Sequence, residues 1–414
     1  MKHKKQSSIC TTHNQQGFTL VEFMVASVLG LIVIAGAGAL YSHTKRLNDI
    51  GMARVNTLQD LRNVSTMVTQ DARSAGVFGC ANLGRRFAPD STDGTIELGN
   101  LGAGVADIVK LQTLDDPTSA NRSAGVRWVK SADVTKELST VWGGLPFTPD
   151  NDSGALLFYY GEGSLSFNSA SGSEIIFNTD ERNPNQVVKS ILNTAPGGWV
   201  VAAGCNALAF KESKGGNSGG TFKVDTLPAS AISTASDKAA TSAIVPHSDM
   251  ILQRYKIVAY VVGEITGEDE KGVPALYRFE FGNNGGNWTA PQKLAKNITK
   301  MEAQYLFVTD CPTGKNSVPG AGAGAASTAV DLNAQQFTIK NADDGNSWSD
   351  DTSVSPNYGK PDAAQGPSSI QLKLTYNFPK IRGGSIETGG TDQEFNISAV
   401  VRGGNVCASR KITQ

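Results

Sequence analysis

Apolar residues run almost unbroken from residue 18 to residue 41, and Glu22 is the only charged side chain among them. At about 1.5 Å per residue this stretch would make a helix of roughly 36 Å, long enough to cross a bilayer. Beyond it the pattern changes. Leu47, Ile50, Val55, Leu58, Leu61, Val64, Val68, Ala72 and Ala75 recur at steps of mostly three and four. Lys45, Arg46, Asp49, Arg54, Asp60, Arg62, Asp71 and Arg73 are interspersed. That spacing predicts an amphipathic continuation of the same helix over 42–75, its apolar stripe lying against a globular head. Gly76 and Gly79 are natural stops.

Past residue 75 the dominant period is two. Strand-like runs fall at 107–114, 155–160, 174–177, 199–202, 250–262, 275–281, 301–308, 370–377 and 395–402. Ile370-Gln-Leu-Lys-Leu-Thr-Tyr376 alternates cleanly. The one helical pattern among them is the short run 292–298. The predicted fold class is α+β, a long N-terminal helix followed by a large antiparallel β-rich head spanning 76–414. Loops rich in Gly, Ser, Ala and Thr separate the runs at 213–220, 229–243 and 319–326, and an acidic polar loop occupies 343–356. The break near 211–245 is a candidate boundary between two subdomains, 76–210 and 245–414.

The residues ahead of the apolar run complete the N-terminal pattern. The first 17 hold Lys2, Lys4 and Lys5 and no acid, and they end in Gly17. A secretory signal peptide places its apolar stretch before the cleavage site. Here the apolar stretch follows, so cleavage at Gly17 would leave the anchor on the protein. Positive residues stay inside, which places everything after Tyr41 across the membrane. A carboxylate within a membrane span costs about 2.5 kcal/mol or more, so Glu22 requires a partner.

Gly17-Phe-Thr-Leu-Val-Glu22, followed by the apolar run, resembles the type IV prepilins and their relatives, the type II secretion pseudopilins. The resemblance implies cutting after Gly17 by a membrane aspartyl peptidase and methylation of the new amine of Phe18. It also implies pairing of Glu22 with the N-terminal amine of a neighbouring subunit. A desolvated carboxylate and a desolvated ammonium offset each other only when paired, which agrees. Asp71-Ala-Arg-Ser-Ala-Gly-Val-Phe-Gly-Cys80 is similar to the segment that ends the long helix in the type IV pilus assembly protein W family, the PilW-like minor pilins. His247-Ser-Asp-Met-Ile-Leu-Gln-Arg254, Leu276-Tyr-Arg278 and the run 395–402 also resemble strands of that family.

On this resemblance the chain would be a minor pilin that helps initiate type IV pilus assembly and sits in the tip complex, without catalysis. The head would be periplasmic before assembly, with the helix in the inner membrane. The implied partners are other minor pilins, the major pilin, the prepilin peptidase, the inner-membrane assembly machinery and a large tip adhesin. The alternatives are a minor pseudopilin of type II secretion and a tip-located adhesion or ligand-binding module. The size of the head and the Ala-Gly-Val-Phe-Gly-Cys segment weigh against the pseudopilin.

Cysteine usage fits an oxidising compartment. Of the five cysteines, Cys10 lies in the leader and Cys80, Cys205, Cys311 and Cys407 remain, an even number. Three pairings into two disulfides are open. Cys80–Cys205 with Cys311–Cys407 keeps each bridge within one half of the head, and loops of roughly 100 residues would contribute about 4–5 kcal/mol each in the chain-entropy picture. No CxxC and no neighbouring histidine argues for a metal instead.

The remaining chemistry is thin. A formal net charge of −1 offers no basic footprint for nucleic acid. Gly216-Asn-Ser-Gly-Gly220 matches a nucleophile elbow in letters only, since no tight strand–helix context surrounds it. His247 is the single histidine after residue 75, and a triad would need it to converge with a serine and an orienting carboxylate, for which the sequence gives no sign. Gly320-Ala-Gly-Ala-Gly324 lacks the Lys-Ser/Thr of a phosphate loop. Asp343, Asp344, Asn346, Asp350 and Asp351 offer oxygens to calcium but not EF-hand spacing. No cofactor is expected.

Overall fold

The computed structural model of the chain describes residues 19–79, 81–83, 97–98, 125–171, 174–178, 199–203, 207–212, 221–225, 251–265, 273–284, 287–308, 337–344, 367–378, 380–382, 385–387 and 391–402. A single α-helix, Leu20–Ser74, opens it. Its 55 residues extend about 82 Å at 1.5 Å per residue. Ala75 ends it, and Gly76 at φ 74° turns the chain away. That conformation suits a residue without a Cβ.

The apolar stripe of the helix divides in two. Thr57, Leu61, Val64, Val68, Asp71 and Ala72 are buried, and Ala75 with them. Leu47, Val55 and Leu58, expected on the same docked face, are exposed. The helix therefore enters the head near residue 57, and its preceding turns project clear of it. Arg54 lies over the Phe378 ring at 5.2 Å, close to the point of entry.

Two main sheets receive the helix. Among the described residues the larger has 12 strands, and the central ones are Ala155–Ser171, Ile251–Ile265 and Ala275–Asn284. The smaller has four, in the order Phe337–Asn341, Ile298–Val308, Ser369–Asn377, Asp392–Val400. Among the described residues every pairing is antiparallel except that of Glu97–Leu98 with Ala207–Leu208. The fold is α+β, with an antiparallel β-rich head and no closed barrel. The larger sheet draws strands from both sides of the 211–245 stretch, since Ile251–Ile265 pairs with Ala155–Ser171.

The central strands are buried on both faces, which explains the unbroken apolar runs at 155–160 and 257–262. Leu156, Phe158, Tyr160, Val258, Tyr260 and Val262 join the helix stripe and the inner face of the smaller sheet in one core. Ala155, Leu157, Tyr159, Ile257, Ala259 and Val261 face the other way, into a second core. That second core is covered by a short helix, Ser131–Glu137, and by Leu138, Val141, Trp142 and Phe147. Phe147 meets the Phe279 and Tyr277 rings edge-on at 5.3 Å and 5.4 Å.

Two departures from the sequence reading are informative. The predicted helical run 292–298 is instead the strand Gln292–Lys296, paired with Ala275–Asn284, and Ile298 opens the next strand. Its residues are good helix formers, but an unsatisfied edge of the large sheet lies alongside, and tertiary pairing overrides a local propensity of a few tenths of a kcal/mol per residue. Further strands, among them Val126–Val129, Phe147–Pro149, Ala207–Glu212, Thr221–Asp225 and Phe337–Asn341, lie outside the predicted runs. The predicted strand 107–114 lies outside the described residues. At the remaining sites the strands run longer than their most apolar stretches, as in Ile251–Ile265 and Asp392–Val400.

Candidate functional site

The helix carries the chemistry of interest at both ends. At its start Thr19 is the N-cap, and Thr19-Leu-Val-Glu22 forms a capping box. The Glu22 amide donates to Thr19 Oγ1 at 3.3 Å, and the Thr19 amide and hydroxyl both donate to Glu22 Oε2 at 3.1 Å. Within one subunit Glu22 thus satisfies orphan donors of the helix terminus and lies against its positive dipole end. Gly17 and Phe18 lie outside the described residues.

Between residues 20 and 41 every residue is exposed except the half-exposed Gly30. The helix is long and apolar enough to cross a membrane. No other part of the described chain covers it. Among the described residues most of the exposed large hydrophobic side chains belong to this column, and Met52, Val55 and Leu58 extend it towards the head.

Where the helix docks, its chemistry reverses. Asp71 is only 5% exposed, in the middle of an apolar stripe. Its Oδ1 accepts the Tyr160 hydroxyl at 2.8 Å and its Oδ2 the Tyr260 hydroxyl at 2.6 Å. Arg278 donates to Oδ2 from Nε at 3.2 Å and from Nη2 at 3.1 Å. Burial pushes the tyrosine hydroxyls up, and the Asp71 carboxylate beside each pushes them further. Burial pulls the Arg278 guanidinium down, but Asp71, Tyr260 and Glu280 outweigh it, so its charge is held more firmly than usual.

From Arg278 the charges alternate across the sheet. Arg278 pairs with Glu280, Glu280 with Lys256 at 3.5 Å, Lys256 with Glu162 at 3.3 Å, and Glu162 with Arg254. Three acids and three bases alternate along this row. Burial raises the Glu280 carboxyl, but Lys256 and Arg278 outweigh it and hold it below the usual carboxylate range. Burial depresses the Lys256 ammonium, partly countered by Glu280. At its Asp71 end the row is a joint that fastens helix to sheet.

Other expected site residues are placed as follows. Cys80, Cys205, Cys311 and Cys407 lie outside the described residues, as do His247 and 216–220. Asp343 belongs to a 3-10 turn, Ala342–Asp344, and its carboxylate accepts the Trp128 indole N–H at 2.8 Å. It thereby ties the smaller sheet to the strand Val126–Val129. The other acidic side chains of that loop are not described. Among the described residues no three of His, Cys, Asp or Glu converge to hold a metal.

The Asp71 joint was missed from sequence. A usable signal existed: Asp71 stands three residues after Val68 and seven after Val64, on the apolar face itself. Nothing local pointed to Tyr160, Tyr260 or Arg278.

Residues 12–38 match the family described as the prokaryotic N-terminal methylation motif. No curated protein and no solved structure matches the chain. The motif indicates a type IV pilin-like or pseudopilin protein, and the exposed apolar helix is consistent with membrane anchoring before assembly.

Proposed function

We propose that the chain is a minor pilin that helps initiate assembly of a type IV pilus and sits in its tip complex, a structural role without catalysis. The observation that carries the reading is the apolar column of residues 20–41, most of which lies within the matched methylation motif of residues 12–38 and which no other part of the described chain covers. Such a column is stable in a bilayer and, once withdrawn from it, against other helices of the same kind. Glu22 at its start would then be neutralised by the amine of a neighbour.

The size of the head supports a place at an end of the filament. A compact head of residues 76–414 has a radius of gyration on the order of 20 Å. Packed helices stand 8–10 Å apart. Heads so large cannot recur at helix-packing distance without crowding, whereas a few copies at a tip can splay. The partners in this reading are other minor pilins, the major pilin, the prepilin peptidase, the inner-membrane assembly machinery and a large tip adhesin.

The test is made in the native bacterium with a tagged full-length chain. Expected are a few copies per sheared filament, immunogold label at filament ends, and loss of piliation on deletion. Label along the whole shaft would overturn the tip assignment. Intact piliation with failed protein export would assign the chain to type II secretion instead.

A further inference from the structure

The stripe that docks the long helix is apolar apart from Thr57 and Asp71. Hydrophobic contact is non-directional, and this stripe nearly repeats itself. A displacement of four residues, about 6 Å along the axis, would put Val64 where Val68 sits, Val68 where Ala72 sits and Met67 where Asp71 sits, while at the other end Thr57 and Asp60 would fall at the buried sites of Leu61 and Val64. In the other direction Ala75 would take the place of Asp71. Over the last turns of the helix, around Asp71, apolar packing alone therefore discriminates poorly between neighbouring registers.

Asp71 breaks the repeat. Its three donors come from three adjacent strands: Tyr160 from Ala155–Ser171, Tyr260 from Ile251–Ile265 and Arg278 from Ala275–Asn284. They close on the carboxylate from different sides, so both axial slip and rotation separate it from them. A slipped helix would strand an unpaired carboxylate, a guanidinium and two hydroxyls at a site from which water is nearly excluded, and breaking a buried ion pair is strongly unfavourable. A single polar residue in an apolar seam sets register in this way in coiled coils.

We propose that Asp71 is a register lock: it fixes the axial position and rotation of the long helix against the head. The backbone reinforces it just beyond the helix, where the Gly76 amide donates to the Tyr159 carbonyl at 2.9 Å. Gly125, at φ 88°, allows that approach, since a Cβ there would fall 2.0 Å from the Gly76 nitrogen. The inference rests on the packing and holds for a pilus or a pseudopilus alike.

The test uses the full-length chain in detergent, with spin-labelled non-cysteine amino acids at Arg62 and Gln304, both exposed. Double electron–electron resonance should give one narrow distance distribution for the wild type. Asp71→Leu, with helical content retained, should broaden it or add a population displaced by up to about 6 Å. A folded Asp71→Leu chain with the wild-type distribution would overturn the proposal. Should that variant fail to fold, Tyr160→Phe/Tyr260→Phe keeps both rings and removes both hydroxyl donors. It should broaden the distribution to a smaller degree, and an unbroadened one overturns the lock equally. A role in stability alone would lower the melting temperature and leave the distance unmoved.

Discussion

At the scale of single residues, Glu22 has two tasks that mutation can separate. Inside one subunit it closes the capping box with Thr19. In the proposed assembly it meets a neighbour's amine. Thr19→Ala removes the cap, at a cost of about 0.5–2 kcal/mol to the helix start, but leaves the carboxylate. Glu22→Ala removes both. The expected result is that Thr19→Ala enters sheared filaments nearly as well as wild type, while Glu22→Ala stays in the membrane fraction. Equal losses for the two variants would mean that Glu22 acts through capping alone. The Thr-x-x-Glu pattern was legible in the sequence, yet the intramembrane charge drew the whole reading of Glu22. Asp71 went unread for the opposite reason. It looked like one of several polar residues on an amphipathic helix, and its partners stand 89, 189 and 207 positions away. No local pattern encodes such a convergence.

At the scale of elements, the strands carry an unusual load of buried phenols. Tyr159, Tyr160, Tyr255, Tyr260 and Tyr305 are all pushed up, in each case chiefly by burial. Their folded values exceed the unfolded value of about 10, so the stability they lend is complete below pH 10 and is lost as pH rises beyond it. Each contributes about 1.4 kcal/mol per pH unit in that window. Five together would exhaust a stability of about 5–15 kcal/mol within one or two units. Guanidinium unfolding of the full-length chain in detergent at pH 8–11.5 should show this as a steep fall setting in near pH 10. Stability unchanged up to pH 11.5 would refute it. The same strands show what sequence can and cannot reveal. Ser369–Asn377 alternates buried and half-buried residues without exception, and its period of two was plain. Ala155–Tyr160 read as a strand because an apolar run that short, rich in aromatics, suits a doubly covered strand. Gln292–Lys296 has neither feature. Its state is decided by the edge of Ala275–Asn284 beside it, a fact of tertiary structure.

At the scale of the whole molecule, the helix belongs to two different bodies, and the division does not fall where the periodicity changes. Residues 20–41 touch nothing in the described head. Leu61, Val64, Val68, Ala72 and Ala75, by contrast, are fully buried or nearly so, in the core that joins the two sheets. The apolar pattern forecast a continuous stripe from residue 47, because periodicity reports which face is apolar and not what will cover it. A chain beginning at residue 42 should therefore be soluble, monomeric and cooperatively folded. A chain beginning at residue 76, the natural cut by sequence, should not fold. It loses five core side chains, the larger of which contribute about 1.5–3 kcal/mol each. It also removes the carboxylate that Arg278, Tyr160 and Tyr260 bond, leaving Arg278 with Glu280 alone. The total approaches the entire stability of a typical domain. Size-exclusion chromatography and near-ultraviolet circular dichroism decide the matter. The longer chain should elute as a monomer with a sharp thermal transition, and the shorter should aggregate or melt without one. A cooperative transition in the shorter chain at a similar temperature would show that the sheets close their core without the helix, and the joint at Asp71 would then be an attachment to a finished head instead of part of it.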